Sequence, residues 1–127
     1  MKKSKAQHKL MKVNGIKLDE GKQSWYAMPL VVLKPLADVF NAGEKKYETF
    51  NCLKPFVDPD RRFYNAAMRH LEACQLDPLA KDEETGCYHA AQAAFNLLLR
   101  IHNASPKHKS LKNKVILMVD KTTGKKI

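Results

Sequence analysis

RHLEACQLDPLAKDEETGCYHAAQAAFN, residues 69–96, carries Arg69, His70, Glu72, Asp82, Glu83, Glu84, Thr85, Gly86, His89, Gln92 and Asn96 within a short span. It reads as two helices joined by an acidic turn, because apolar residues on both sides of the turn recur with the helical period. In the second helix, a turn of about 100° per residue brings His89, Gln92, Asn96 and Arg100 onto one stripe. Nearly everything around that stripe is apolar: Tyr88, Ala90, Ala91, Ala94, Phe95, Leu97, Leu98, Leu99 and Ile101. Such a helix is expected to be mostly buried. Its polar stripe then needs hydrogen-bond partners, cavity water or a ligand, since an unpaired buried polar group costs about 1 to 3 kcal/mol. The competing reading is an ordinary solvent face, and this helix alone leaves both open.

The first helix is expected to begin at Asp58-Pro59, an N-cap followed by proline at the first helical position, with Asp60 favourable in the first turn. Phe63, Ala66, Ala67, Leu71 and Cys74 make its core-facing arc, and Arg62, Asn65, Arg69 and Glu72 line up beside it. His70 projects from the apolar arc, where a histidine is more often a satisfied core residue than a base. For Arg69 and Glu72 the bland reading is an exposed i, i+3 ion pair worth roughly 0.2 to 0.5 kcal/mol. The turn itself supplies carboxylates of the type a hard divalent cation prefers, an arrangement suited to phosphate chemistry. Its bland reading is that residues 82–84 merely favour the next helix N-terminus through the dipole.

Toward the N-terminus, a helical region follows Pro29, where Leu30, Leu33, Ala37 and Phe40 keep helical spacing. Pro35 would remove an interior hydrogen bond, so this helix either starts near Lys34 or is kinked there. Asn41, Ala42 and Gly43 interrupt or cap it, and Lys45, Lys46 and Tyr47 follow, the two lysines fit for phosphate oxygens or for a solvated face. Residues 51–57, with Pro55, read as a loop. Residues 13–19, with Gly15, read as a short extended or turn segment, and 114–120 as a strand. The expected organisation is a basic disordered tail (1–12), a helical domain (13–104) and a basic C-terminal extension with a strand (105–127). The fold class is mainly α, with short extended segments near the two termini.

Composition bounds the class. A chain of 127 residues is one domain by size. It has no run of about 18 apolar residues and no apolar stretch behind its Lys-rich start, so neither a membrane span nor a signal peptide is expected. Three cysteines without CxxC or metal-ligand spacing point to reduced thiols and a cytoplasmic setting. The net charge of +10 suggests nucleic acid, yet its distribution argues otherwise. Residues 1–24 carry seven lysines against two acids, and residues 105–127 carry seven against one, whereas 25–104 hold nine basic and ten acidic residues. Basic tails attract polyanions weakly, and a duplex-binding body would place a basic face on its own elements.

An ordered series of short motifs adds to this. It comprises K-x-D-x-G-K-x-x-W (Lys17, Asp19, Gly21, Lys22, Trp25), Pro29, L-A-x-V from Leu36, G-x-K-K-Y from Gly43, and Asn51. It continues with R-H-L from Arg69, E-T-G from Glu84, His89, and A-A-x-N from Ala93. The series resembles the phage dATP/dGTP diphosphohydrolase domain family, itself similar to the all-helical MazG-like nucleotide pyrophosphohydrolases. The resemblance implies an oligomeric, cytoplasmic enzyme that uses Mg2+ or Mn2+ to cleave a purine deoxynucleoside triphosphate to monophosphate and pyrophosphate. It implies a metal held by Glu72, Asp82 and Glu84, catalytic roles for His89, Arg69 and His70, and substrate contacts from Lys45, Lys46, Tyr47 and Asn96. Lys17, Asp19, Lys22 and Trp25 match an N-terminal motif where base or ribose contact is expected, with Trp25 able to stack on a purine.

The chain departs from the family pattern in four places. Gln92 stands where a second histidine usually follows the first, and residues 75–81 lack a Gly-Glu step. Cys52 and Cys74 replace tryptophans. These departures keep a rival in view, a phage nucleotide-binding or host-inhibiting protein on the same scaffold without turnover. A second rival is a small nucleic-acid-associated protein working through its tails.

Overall fold

A computed structural model describes residues 14–106. The tail at 1–12, Val13 and the strand expected at 114–120 lie outside the described residues. Three helices lie among the described residues: α1 (Leu30–Lys46), α2 (Pro59–Ala73) and α3 (His89–Ala104), with a 3-10 turn at Asn51–Leu53 between α1 and α2. The described residues contain no strand beyond an isolated antiparallel bridge between Lys81 and Tyr88, and the class is mainly α, as expected.

α1 starts at Leu30 and runs through Pro35 to Lys46. Pro35 lacks the N–H that would meet the Val31 carbonyl, and Val31 is exposed, so water can serve that carbonyl. Gly43 neither interrupts nor caps the helix. The stop comes at Tyr47, whose N–H reaches the Gly43 carbonyl at 3.0 Å, and Lys45 and Lys46 occupy the last turn, where cations oppose the helix dipole. The segment expected to be a loop at 51–57 holds the 3-10 turn, entered through Phe50 at φ 62°.

α2 begins at Pro59, yet Asp58 is no side-chain cap. It takes the left-handed conformation (φ 49°, ψ 58°), makes no cap hydrogen bond, and its carboxylate lies 3.5 Å from Arg61 instead. Of the arc expected to face the core, Phe63 and Ala67 are buried and Leu71 is exposed.

α2 and α3 form the main helix pair, and α1 packs chiefly on α3. Small residues set the spacing: Ala67 and Ala93 are almost wholly buried, and Val39, Cys87 and Ala91 form a core cluster against which Ala42, Tyr88 and Phe95 pack. Phe40 of α1 meets Phe95 of α3 edge to face, ring centroids 4.9 Å apart. α3 settles the question its sequence left open. Gln92 and Asn96 are buried, at 7% and 9% exposure, while Leu97, Leu98 and Ile101 face outward. Its polar stripe points into the domain and its apolar flank points away from it.

Candidate functional site

The connection from α2 to α3 positions the chemistry. Cys74 and Asp77 begin a run of tight turns, and the Lys81–Tyr88 bridge then closes a short loop. Within it the Asp82 N–H bonds the Cys87 carbonyl at 2.8 Å, and the Gly86 N–H bonds the Asp82 carbonyl at 2.7 Å. Gly86 has φ +73°, the left-handed region that glycine enters without steric cost. The loop thereby turns Asp82 inward against His70 near the end of α2 and His89 at the start of α3. One ligand-capable atom from each of His70, Asp82 and His89 lies within 4.8 Å of the others.

The Nδ1 atoms of His70 and His89 are 2.9 Å apart. Without an ion between them, one ring must donate a proton there and the other accept it. Burial, then the neighbouring His89, pushes the His70 imidazole below its usual pKa, against the pull of Asp82. Burial works to raise the Asp82 carboxyl, but the Glu84 N–H, the Gln92 amide and the two imidazoles outweigh it and hold the group below the ordinary carboxylate range. The hydrogen bonds are specific: Oδ1 accepts from the Glu84 N–H at 2.9 Å and Oδ2 from Gln92 Nε2 at 3.2 Å. The same Gln92 amide also donates to Thr85 Oγ1 at 3.2 Å.

Gln92 joins this group to a cleft of about 550 Å3 between α1, the 3-10 turn and α3. Phe40, Phe95, Tyr47, Lys46, Thr85 and Asn96 are among the residues around it. At the rim Lys46 Nζ lies 2.6 Å from Glu84 Oε1, an ion pair that raises the Lys46 pKa through its hydrogen bond to the carboxylate. A second cleft, against α2, is lined by Arg62, Asn65 and Arg69 and shares Tyr47 and Asn96 with the first.

Of the residues expected at a site, His70, His89 and Asp82 are brought together, Lys46, Tyr47 and Asn96 line the larger cleft, and Arg69 lines the second. Glu72 and Glu84 lie outside the His70–Asp82–His89 group; Glu72 is exposed and Glu84 is engaged by Lys46. Lys45 lines neither cleft. Lys17, Asp19, Lys22 and Trp25 sit on an exposed, irregular segment apart from both clefts, where the Lys22 N–H turns back to the Asp19 carbonyl at 3.1 Å. Gln92, Thr85, Phe40 and Arg62 also line the larger cleft, and the sequence assigns none of them a catalytic, metal or substrate role. The 3.6-residue stripe shared with His89 and Asn96 pointed to Gln92, and that shared with Arg69 to Arg62; nothing local marked Phe40.

Among the described residues, three helices bring two imidazoles and a carboxylate together at one inter-helix connection, beside a cleft bearing cationic side chains, in a mainly α domain. The family described as dATP/dGTP diphosphohydrolase, N-terminal, matches residues 12–113, and the chain belongs to that family. No curated protein and no solved structure matches the chain.

Proposed function

We propose that this protein hydrolyses purine deoxynucleoside triphosphates, dATP or dGTP, to monophosphate and pyrophosphate with the help of a divalent cation. The observation that carries the reading is the His70–Asp82–His89 group, tied through Gln92 to a cleft large enough for a nucleotide. Membership of the diphosphohydrolase family supports it independently.

The donor set fits a cation. One nitrogen of each imidazole and a carboxylate oxygen of Asp82 lie within 4.8 Å of one another, so a single cation would be held by all three. Two imidazoles and one carboxylate suit Mn2+ better than Mg2+, which prefers oxygen ligands. The ligand set proposed is therefore His70, Asp82 and His89, in place of Glu72, Asp82 and Glu84. When bound, such an ion supplies neutralisation of phosphate charge and a more acidic water.

The chain's own residues do the rest. Gln92 and the Glu84 N–H fix the Asp82 carboxylate, which is ionised at neutral pH. Lys46 is held at the cleft rim by Glu84, within reach of an entering phosphate. Phe40 and Phe95 give the cleft an apolar wall for a purine. Incubation with a nucleotide panel and Mn2+ or Mg2+, with products resolved by anion exchange, tests the reaction. Release of pyrophosphate from dATP or dGTP, lost in Asp82→Asn, is the expected result. Tight binding without pyrophosphate release would overturn it and leave a nucleotide-binding protein.

A homo-oligomer belongs to the same proposal. The outward stripe of α3 is apolar where a lone domain would be polar, and a second copy offers the same surface. No described helix is long and apolar enough to cross a membrane, and the thiols of Cys74 and Cys87, outside any disulfide, suit a cytoplasmic location. Contact with nucleic acid is confined in this reading to weak attraction by the basic tails.

A further inference from the structure

The cleft against α2, about 510 Å3, has a chemistry of its own. Arg62, Asn65 and Arg69 stand at i, i+3 and i+7, so α2 presents two guanidinium groups with an amide between them to one side. No carboxylate lines this cleft. The acids nearest Arg62 in sequence are occupied elsewhere, Asp58 by Arg61 and Asp60 by Arg100, and Glu72, three residues after Arg69, is exposed and does not line the cleft. Arg62 is steadied without being neutralised: its Nη1 donates to the Val57 carbonyl at 3.4 Å, and its guanidinium lies 6.0 Å from the Phe56 ring centroid. Among the described residues no carboxylate pairs with Arg62 or Arg69.

Two unneutralised guanidiniums in an acid-free cleft favour an anion carrying at least two charges, because a single negative charge satisfies only one of them. Each planar fork can take two oxygens of a phosphate, and the Asn65 amide adds a donor between them. The cleft also shares Tyr47, Phe56, Arg62, Phe63 and Asn96 with the larger, mostly apolar one. A ligand seated there can extend its anionic end onto α2.

We propose that the Arg62–Asn65–Arg69 cleft is a diphosphate-binding subsite, taking either free pyrophosphate or the terminal diphosphate of a nucleotide whose base lies in the larger cleft. The nucleotide arm rests on the reading of the larger cleft given above, and the subsite itself is read by binding alone. The test is calorimetric titration of the full chain, without added metal, using inorganic pyrophosphate, a deoxynucleoside diphosphate and a deoxynucleoside monophosphate. Pyrophosphate and the diphosphate bind, and the monophosphate binds at least about tenfold more weakly. Tighter binding of the diphosphate than of pyrophosphate assigns the nucleotide tail; the reverse assigns the released product.

Arg62→Gln and Asn65→Asp each weaken pyrophosphate about tenfold or more, and Arg62→Lys recovers part of the loss. Asn65 is exposed, so its replacement leaves the helix packing untouched. Pyrophosphate that fails to bind the native chain, or binds it and both weakening variants equally, overturns the subsite. Arginine-dependent pyrophosphate binding without hydrolysis of any nucleotide would remove the catalytic reading and keep the subsite. Turnover with pyrophosphate indifferent to these residues would do the opposite.

Discussion

At the scale of single residues, Gln92 shows how a buried amide governs a charged group beside it. Its Nε2 donates to both Asp82 Oδ2 and Thr85 Oγ1, so one side chain fixes the carboxylate and one edge of the cleft. Partners of this kind, one step behind a ligand, are typically worth about 10- to 100-fold in metal affinity. Gln92→Ala should therefore weaken Mn2+ binding by about 10- to 100-fold while the chain keeps its helical circular dichroism, as a calorimetric Mn2+ titration would show. An unchanged affinity would mean that Asp82 needs no orienting partner. Gln92 was visible in the sequence as a member of the His89–Asn96 stripe, but its contacts were not. Periodicity says which residues share a face; it does not say that the residue ten positions earlier will fold back against them. The adjacent acids show the same limit. Asp82 and Glu84 are two residues apart, yet the loop turns Asp82 toward the imidazoles and gives Glu84 to Lys46, 38 positions away.

At the scale of elements, the helix pair was legible and the geometry of its ends was not. Pro59 announced the start of α2 because a proline loses nothing at the first helical position, but no pattern revealed that Asp58 would turn left-handed. Pro35 leaves open a start near Lys34, and α1 instead begins ahead of it at Leu30. The α2–α3 loop depends on Gly86, whose added Cβ would meet no neighbouring atom, so the cost of Gly86→Ala comes from φ +73° alone. Loss of about 1 to 2 kcal/mol is expected from that strain, measured by urea unfolding. The helices are also clasped at the far end, where Arg100 Nε meets Asp60 Oδ1 at 2.7 Å. The hydrogen bond to Arg100 holds the Asp60 carboxyl below the ordinary carboxylate range, outweighing a small opposing effect of burial. A lowered carboxyl pKa stabilises the fold above the unfolded-state value, and the contribution is lost as pH falls through the folded value. Arg100→Gln should thus lower the thermal midpoint slightly at pH 7, the pair being exposed and screened by salt. The difference should vanish once Asp60 is protonated in both proteins; one that persisted there would assign the loss to Arg100 packing on Tyr64.

At the scale of the whole molecule, α3 turns Gln92 and Asn96 inward beside its apolar core residues and leaves Leu97, Leu98 and Ile101 outside. Among the described residues no large side chain is fully buried, and the core rests on alanines, Val39, Phe63, Cys87 and Leu99. Burial of apolar surface contributes about 25 cal/mol per Å2, so a helix with exposed Leu98 (47%) and Ile101 (60%) forgoes stabilisation that a partner surface would supply. Ala90, Ala94, Leu97, Leu98 and Ile101 lie at i, i+4, i+7, i+8 and i+11, one continuous stripe along α3. A two-fold axis through that stripe would bring each copy against an identical surface, closing the contact and leaving no open apolar edge. The α2–α3 hairpins of two chains would then make a four-helix layer, with the His70–Asp82–His89 groups kept off the seam because the polar stripe faces the other way. Leu98→Lys places a charge in the seam and should halve the mass found by light scattering at micromolar concentration. Because Leu98 is half exposed within one chain, the variant should keep its helical content and its Mn2+ binding. A native chain that already scatters as a single copy would refute the pairing, and the exposed stripe would then be an ordinary surface of a small, weakly cored domain.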